Sequence, residues 1–231
     1  MKQPKFVSGP PGTGKTHKFL VEEYIKLLKN YDPEKIIMLS HTNVAADELK
    51  EAVLELPEIK EKRGLKKKFF KYKICTIHSF CKSKLLKKEL ITYADYLNLC
   101  AENSGFKAQR VTQSEFNDDK HKFFKFLGDA FGQGRTIKEH WNSLKETSSN
   151  YYPYNNFRMI YEMKEVYDNY KKVNQVCDYN DMVKDFIDHA VVPDIDVLIV
   201  DEAQDSNVPQ IKALEKMSTN VKEYYMVGDA D

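Results

Sequence analysis

The sequence has no long apolar run. No segment approaches about 18 consecutive apolar residues, the length that a membrane-spanning helix requires. Residues 1–11 also lack the basic start and apolar stretch of a secretory leader. We therefore expect an intracellular, cytoplasmic protein that has no membrane partner.

Cysteine is sparse and follows no metal-binding pattern. Cys75, Cys81, Cys100 and Cys177 form no C-x-x-C pair and have no matching pair of histidines. This spacing argues against a zinc site and favours buried thiols outside any disulfide. Such thiols are typical of a reducing compartment.

An excess of charge of either sign is also lacking. The 36 Lys and Arg residues nearly balance the 35 Asp and Glu residues, so the net charge is +1 at pH 7. The charges are nevertheless unevenly placed, because residues 60–73 are strongly basic with interleaved aromatic residues and residues 178–205 are acidic. The basic run is compatible with phosphate contacts and equally with a solvated loop.

What the sequence does contain is an alternation of strand and helix patterns. Five short apolar segments predict β-strands, at residues 5–8, 36–40, 73–76, 196–200 and 224–228. The second and fourth are continuously hydrophobic, as expected for strands covered on both faces of a parallel sheet. Helical patterns at residues 16–30 and 45–56 separate the first three strands. We therefore predict a doubly wound α/β fold with helices on both faces of the sheet.

The central part of the sequence has a different character. It lacks convincing runs of β-branched residues, but it has helical patches such as 116–131 and 157–170 that are rich in Phe, Tyr and Lys. At helical spacing these aromatic residues favour a hydrophobic core over the stacking of bases. We predict that residues 1–88 and 190–231 form the α/β core and that residues 89–189 form a mostly helical insertion.

A phosphate-binding motif follows the first predicted strand. The residues that form it are Gly9, Pro10, Pro11, Gly12, Thr13, Gly14, Lys15 and Thr16. They fit the Walker A pattern G-x-x-x-x-G-K-[ST] and lie between a predicted strand and a predicted helix, as the motif requires. The glycines let successive backbone N–H groups point at phosphate oxygens, and the helix start adds its dipole. In such a loop Lys15 reaches the β- and γ-phosphates and the Thr16 hydroxyl binds Mg²⁺, so we expect ATP and Mg²⁺ as cofactors.

Two adjacent carboxylates follow the fourth predicted strand. Asp201 and Glu202 come directly after four apolar residues, at the edge of a parallel sheet where ligands bind. We expect Asp201 to hold Mg²⁺ and Glu202 to act as general base on the attacking water, in a Walker B arrangement. The alternative is a pair of acidic residues on a solvated surface. Together with the phosphate-binding motif, the carboxylates predict a P-loop NTPase.

The order of the motifs resembles that of UvrD/Rep-like superfamily 1 helicases. Residues 201–205, with the sequence Asp-Glu-Ala-Gln-Asp, are similar to the family's motif II. Residues 41–46 resemble motif Ia, residues 76–80 resemble the next DNA-contacting motif, and residues 227–231 resemble the start of motif III. Residues 178–182 resemble the segment in which the family's helical insertion returns to the core. The resemblance implies a RecA-like fold and an ATP-dependent DNA helicase.

The resemblance also implies roles for individual residues. Lys15, Glu202 and Gln204 would be catalytic, with Gln204 coupling the γ-phosphate to the DNA-facing surface. Asp229 would lie close to the nucleotide. The residues that would contact single-stranded DNA, alone or in a tailed duplex, are His41, Thr42, Asn43, Thr76, His78 and Ser79. Short polar donors of this kind suit phosphates and sugars, which carry no sequence information.

Some of these positions have a second interpretation or depart from the family. Thr42 and Asn43 are equally suited to capping the helix predicted to begin near residue 45. His78 is also compatible with a hydrogen-bonded histidine of the core. His41 stands where the family typically has an aromatic residue, and Val44 stands where it has a basic one.

Helicases of this family have a further domain that takes part in ATP hydrolysis. The second RecA-like domain, which provides arginine fingers, is missing from this chain, so we expect ATP binding with very slow hydrolysis. For the full-length protein the resemblance implies movement in the 3′ to 5′ direction. Two alternatives stay open. One is a superfamily 1 RNA helicase that moves 5′ to 3′, which the phosphate-binding motif also resembles, and the other is a nucleotide-gated binding module without motor activity.

Overall fold

The computed structural model describes residues 2–9, 15–60, 73–84, 88–118, 120–147 and 156–229, with the backbone alone at residues 9, 15–21, 58, 145–147 and 229. The strands are β1 (Lys5–Gly9), β2 (Ile36–Ser40), β3 (Ile74–Thr76), β4 (Glu89–Leu90), β5 (Val176–Cys177), β6 (Val197–Val200) and β7 (Glu223–Asp229). The helices are α1 (Lys15–Asn30), α2 (Asn43–Leu54), α3 (Pro57–Lys60), α4 (Ile77–Ser83), α5 (Tyr93–Glu102), α6 (Ser104–Ala108), α7 (Gln113–Asn117), α8 (Lys122–Gly132), α9 (Ile137–Thr147), α10 (Phe157–Asn174), α11 (Tyr179–His189) and α12 (Val208–Met217).

The chain divides into two compact units. Met1–Leu85 and Val183–Asp231 form the first unit, and Leu86–Met182 form the second. The two divisions lie close to the boundaries predicted after residues 88 and 189, and the second division falls within α11.

A parallel sheet organises the first unit. Within the described residues its five strands have the order β1-β7-β6-β2-β3, and every neighbouring pair is parallel. Each strand matches a segment predicted from the sequence, and the predicted α/β fold with a parallel sheet is confirmed. The order makes β1 and β7 neighbours although 218 positions separate Lys5 from Glu223, whose side chains are paired.

One face of the sheet packs against α1 and α2. Alternate residues of a strand share a face, so Ile36 and Met38 of β2 lie beside Val197 and Ile199 of β6. The helices contribute Tyr24, Leu27, Leu28, Leu49 and Val53 to the same buried cluster. A fully buried aliphatic side chain stabilises the fold by about 2 kcal/mol, so this cluster fixes both helices to the sheet.

The second unit is helical and has its own aromatic core. The fully buried residues of that core include Tyr96, Leu99, Phe106, Phe123 and Ile160. The interpretation of these aromatic residues as core is therefore confirmed. The short parallel pair of β4 and β5 joins the helices, and the sequence patterns did not predict it because each strand has only two residues.

The predicted helical patch over residues 116–131 is two helices. A capping box at Thr112 begins α7, which ends at Asn117. The Lys120 N–H then donates to the Glu115 carbonyl at 2.9 Å, which closes a turn in place of a further helical turn. The helical pattern begins again at Lys122 with α8. The patch is helical, but the sequence pattern did not show the break between the two helices.

His121 lies inside the aromatic core of the second unit. Its side chain is 1% exposed, and its ring centroid lies 4.7 Å from that of Phe124 and 5.2 Å from that of Tyr96. Neither ring nitrogen has a hydrogen-bond partner in the described part of the chain. Burial lowers the pKa of His121 to about 4, so the core holds a neutral imidazole.

A buried lysine closes the transition from α10 to α11. Lys171 Nζ lies 2.9 Å from Asp178 Oδ2 and 2.8 Å from Asp181 Oδ2, and 4.4 Å from the centre of the Tyr167 ring. The Tyr167 hydroxyl donates to Asp178 at 2.9 Å. Asp178 and Asp181 also accept each other's backbone N–H groups, at 3.0 and 2.8 Å. Two carboxylates and one ammonium group therefore hold the start of α11.

The cysteines and the helix lengths complete the comparison with the sequence. All four cysteines are buried thiols outside any disulfide, as predicted. No helix among the described residues is long and apolar enough to cross a membrane.

Candidate nucleotide and DNA site

Several predicted motifs begin at the carboxyl edge of the sheet. Parallel strands all end at one edge, so the carboxyl ends of β1, β6 and β2 lie there. β1 ends at Gly9, the first residue of the phosphate-binding motif, and Gly9 pairs in register with Asp229 of β7. Lys15 and Thr16 begin α1, whereas Pro10, Pro11, Gly12, Thr13 and Gly14 lie outside the described residues. The strand neighbours of β1 place Asp229 beside the start of the motif.

Asp201 is a buried carboxylate at the end of β6. It is 3% exposed, and its backbone N–H donates to the Leu39 carbonyl at 2.8 Å. Oδ1 has no hydrogen-bond partner within the described residues. Burial raises the pKa of Asp201 to about 7, the neighbouring Glu202 adds to the increase, and a hydrogen bond from the Glu202 backbone opposes it. A buried carboxylate oxygen without a partner suits a cation.

The residues around Asp201 suit Mg²⁺ better than they suit a metal ion that is bound by protein side chains alone. Among the described residues no group of three or more His, Cys, Asp or Glu side chains is placed to hold a metal ion. Mg²⁺ usually takes one or two carboxylates and completes its shell with water and substrate phosphates. Asp201, whose Oδ1 has no partner within the described residues, could supply one such carboxylate.

Glu202 turns the chain sharply after the buried strand. Its φ of 50° and ψ of 45° are left-handed, a conformation that costs a residue with a side chain about 1 kcal/mol or more. The turn leads into one turn of 3₁₀ helix at Ala203–Asp205. Within it the Gln204 Nε2 group donates to Glu202 Oε2 at 2.6 Å. The predicted general base is therefore held by the predicted coupling glutamine.

Gln204 also lies against the last residues of β7. A Cβ atom built on Gly228 would lie 2.0 Å from Gln204 Oε1 and 3.1 Å from Gln204 Cδ. Any residue other than glycine would displace the Gln204 side chain. Gly228 was not among the predicted site residues, although a glycine in an apolar strand is the signal of such a close approach.

His41 connects the end of β2 to the same loop. His41 Nε2 lies 3.0 Å from Ser206 Oγ, directly after the 3₁₀ turn. Burial lowers the pKa of His41, against the opposing effect of Asp205 and Glu202. Burial also lowers the pKa of His78, and the nearby His41 adds to the decrease. The two predicted DNA-contacting histidines are therefore neighbours, and Ser206 is a residue that sequence reasoning missed.

The hydroxyl residues of the predicted DNA face begin helices. Thr42 is the exposed N-cap of α2, and its Oγ1 accepts from the Ala45 N–H at 3.1 Å. Asn43 is the first residue of that helix. Thr76 is buried, where its Oγ1 accepts from the Ser79 N–H and donates to Ser79 Oγ at 2.9 Å. The capping interpretation is confirmed for Thr42 and does not apply to Asn43.

The structure describes only the two ends of the basic run at residues 60–73. Residues 61–72 lie outside the described residues. At its ends Lys60 pairs with Glu55 at 2.5 Å, and Lys73 donates to the Glu34 carbonyl. Both described lysines are thus engaged with the protein.

The parallel sheet with its helices has the architecture of a RecA-like domain. The family model of the UvrD/REP helicase N-terminal domain matches residues 1–231. The chain belongs to this family, and the resemblance seen in the sequence is confirmed.

Two curated relatives are named as a DNA helicase and a probable DNA helicase homolog. The chain is 23% identical over 248 aligned residues to the ATP-dependent DNA helicase Rep of Buchnera aphidicola, an alignment that covers 98% of this chain and 34% of the relative. It is 26% identical over 246 residues to a probable DNA helicase II homolog of Mycoplasma capricolum, covering 95% of this chain and 31% of the relative. The chain therefore spans about a third of the length of these relatives.

Proposed function

We propose that this chain binds ATP with Mg²⁺ and single-stranded DNA, and that it is the nucleotide-binding part of an ATP-hydrolysing DNA helicase. The observation that carries the proposal is the shared carboxyl edge of the sheet. There β1 ends at Gly9, the first residue of the phosphate-binding motif, and β7 and β6 are the next two strands of the sheet. The proposed DNA contacts lie at the ends of β2 and β3 and at the starts of α2 and α4. ATP and DNA would therefore bind to adjacent loops at one edge of the sheet.

The proposed nucleotide site uses residues that follow two strands, β1 and β6. Lys15 and Thr16 belong to the motif that binds the phosphates, with Thr16 and Asp201 holding Mg²⁺. When bound, the ion would neutralise charge that develops on the phosphates. Glu202 would take a proton from the attacking water, and its hydrogen bond from Gln204 orients the carboxylate for that task.

The proposed DNA face combines free donor capacity with a helix start. The Thr42 hydroxyl accepts from the backbone and still has its own proton to donate to a phosphate. Asn43 lies in the first turn of α2, where backbone N–H groups attract anions. Ser79 accepts from Thr76 and keeps its own hydroxyl proton. Such contacts are independent of sequence, as translocation requires.

The whole protein would complete the motor. We expect a second RecA-like domain to supply arginine side chains to the nucleotide, without which hydrolysis falls by about 10³ or more. We expect the complete motor to move 3′ to 5′.

A titration with a fluorescent ATP analogue tests the nucleotide site. With Mg²⁺ present, the chain should bind the analogue, and Lys15→Ala should abolish the binding. Lys26→Ala is the matched control, because Lys26 lies on the same helix but is exposed and pairs with Glu23. Equal binding by Lys15→Ala and the wild type would contradict the proposal.

A second titration tests the nucleic-acid partner. Anisotropy of a labelled single-stranded DNA should rise on addition of the chain, and the affinity should fall steeply with salt. The same titration with an RNA oligonucleotide separates the DNA helicase from the RNA helicase alternative. Nucleotide binding without binding to either nucleic acid would favour the nucleotide-gated module.

A further inference from the structure

The loop that follows β6 is held from both sides. Toward β7, Gln204 packs against Gly228, where no Cβ atom would fit. Toward β2, Ser206 contacts the His41 ring at 3.0 Å. The strand order β7-β6-β2 places these two contacts on opposite sides of one short loop. The loop is thus a junction between the strand that ends beside the phosphate-binding motif and the strand that leads to the proposed DNA contacts.

The rest of the loop offers few ways to move. Its start is fixed by the Asp201 N–H, which donates to the Leu39 carbonyl at 2.8 Å. Its end is fixed by a capping box in which Asn207 and Gln210 exchange hydrogen bonds at 2.9 and 3.0 Å. If Ser206 is displaced, the residues between Asp201 and Asn207 must therefore adjust their conformation. These residues include Glu202 and Gln204.

His41 is placed to exert such a force. It directly precedes Thr42, the exposed cap of α2, and it lies near His78 in the first turn of α4. A strand of DNA that engages the starts of these two helices would reposition the half-buried His41 ring. The hydrogen bond would carry that displacement to Ser206 and on to the carboxylate loop.

We propose that the hydrogen bond between His41 and Ser206 is the contact through which DNA binding changes the affinity for nucleotide. Ser206 is then a positioning residue, because it touches neither ligand and acts through the loop that bears Glu202. The inference rests on the proposed function and specifies how its two sites are coupled. Coupling of this kind is reciprocal, so it is measured equally well from either ligand.

The measurement is the affinity for a fluorescent ATP analogue in Mg²⁺, with and without saturating single-stranded DNA. In the wild type, DNA should change the nucleotide affinity by about fivefold or more. Ser206→Ala should bring that ratio close to one and leave the affinity without DNA within about twofold, because it removes one hydrogen bond and no ligand contact. Ser206→Thr keeps the hydroxyl and should restore the ratio.

Two further variants separate coupling from folding. Ser218→Ala removes a buried hydroxyl that donates to the Glu215 carbonyl at 2.9 Å, away from the loop, and should keep the wild-type ratio. His41→Phe keeps an aromatic ring but loses the hydrogen bond. Its combination with Ser206→Ala should give the same ratio as Ser206→Ala alone, because both remove one contact.

The outcomes distinguish this inference from the function on which it rests. A wild-type chain that fails to bind nucleotide or DNA would overturn both. A wild type that binds both ligands but shows a ratio of one would overturn the coupling alone. Retention of the full ratio by Ser206→Ala would likewise overturn the coupling and leave the proposed function intact.

Discussion

Gln204 Oε1 occupies the space that a side chain on Gly228 would need, with 2.0 Å between the oxygen and the position of a Cβ atom. The contact joins the loop after β6 to the end of β7. The same Gln204 side chain donates to Glu202 at 2.6 Å. The orientation of the proposed general base therefore depends on a glycine in the neighbouring strand.

Substitution of that glycine should reveal the dependence. Gly228→Ala should lower the free energy of unfolding by about 0.5 kcal/mol or less, because the added methyl group displaces only the flexible end of the exposed Gln204 side chain. Gln204→Ala in the same chain should restore it, since the clashing amide is gone. Thermal unfolding followed by circular dichroism measures both. Gly128→Ala is the control, because nothing lies within 4 Å of the added Cβ and the helix should gain about 0.5 to 1 kcal/mol. Additive effects of the two substitutions would contradict the contact.

Removal of the buried charge at Asp201 should separate metal binding from stability. Asp201→Asn should not lower the melting temperature in the absence of nucleotide, because the amide carries no charge into the buried site. It should abolish the increase in nucleotide affinity that Mg²⁺ produces. Asp194→Asn is the control, since Asp194 is exposed and pairs with Lys35 at 2.8 Å. An Asp201→Asn variant that still responds to Mg²⁺ would exclude Asp201 as the metal ligand.

The buried lysine of the second unit should be costly to replace. Lys171→Met leaves Asp178 and Asp181 facing each other without a cation, and should cost about 3 kcal/mol. The only tryptophan of the chain, Trp141, packs against the core of this unit, so its fluorescence during urea unfolding reports the loss. Lys172→Met, at an exposed position on the same helix, should change stability by less than about 0.5 kcal/mol. Equal stability of the two variants would show that the ion network contributes little.

His121 should make the second unit sensitive to acid. Burial lowers the pKa of His121 from 6.5 to about 4. Above pH 6.5 the residue is therefore neutral in the folded and in the unfolded chain, and its ionisation does not change the free energy of unfolding. As the pH falls from 6.5 to about 4, His121 binds a proton in the unfolded chain but not in the folded chain. The free energy of unfolding therefore falls by up to about 3 kcal/mol. Trp141 fluorescence in urea at a series of pH values measures this decrease.

Two variants assign the acid sensitivity. His121→Phe should flatten the decrease, because its ring needs no proton and His121 makes no hydrogen bond in the described part of the chain. His189→Gln, at an exposed histidine, should retain it. An unchanged pH profile in His121→Phe would assign the acid sensitivity to other groups.

The sequence was most informative where burial is complete. Segments 36–40 and 197–200 are hydrophobic without interruption because both faces of β2 and β6 are covered, and these strands were predicted correctly. The family was also identified from the residues at the strand ends. The break before α8 was not predicted, because it depends on a turn closed by one backbone hydrogen bond between Lys120 and Glu115.

The contacts within the site were beyond sequence patterns for a different reason. His41 and Ser206 are 165 positions apart and meet only because β6 lies beside β2. The left-handed conformation of Glu202 has no sequence signature either, since glycine, asparagine and aspartate are the usual residues there. Candidate residues could be named from the sequence, but the contacts between His41 and Ser206 and between Gln204 and Gly228 required the order of the strands.

The order of the strands also has a consequence for folding during synthesis on the ribosome. β1 leaves the exit tunnel early, yet its neighbour β7 lies 218 residues further along the chain, as measured from Lys5 to Glu223. At about 5 to 20 residues per second, the nascent strand waits roughly 10 to 40 s before it can pair. During synthesis, the segment that bears the phosphate-binding motif is therefore made long before β7, the strand with which β1 pairs.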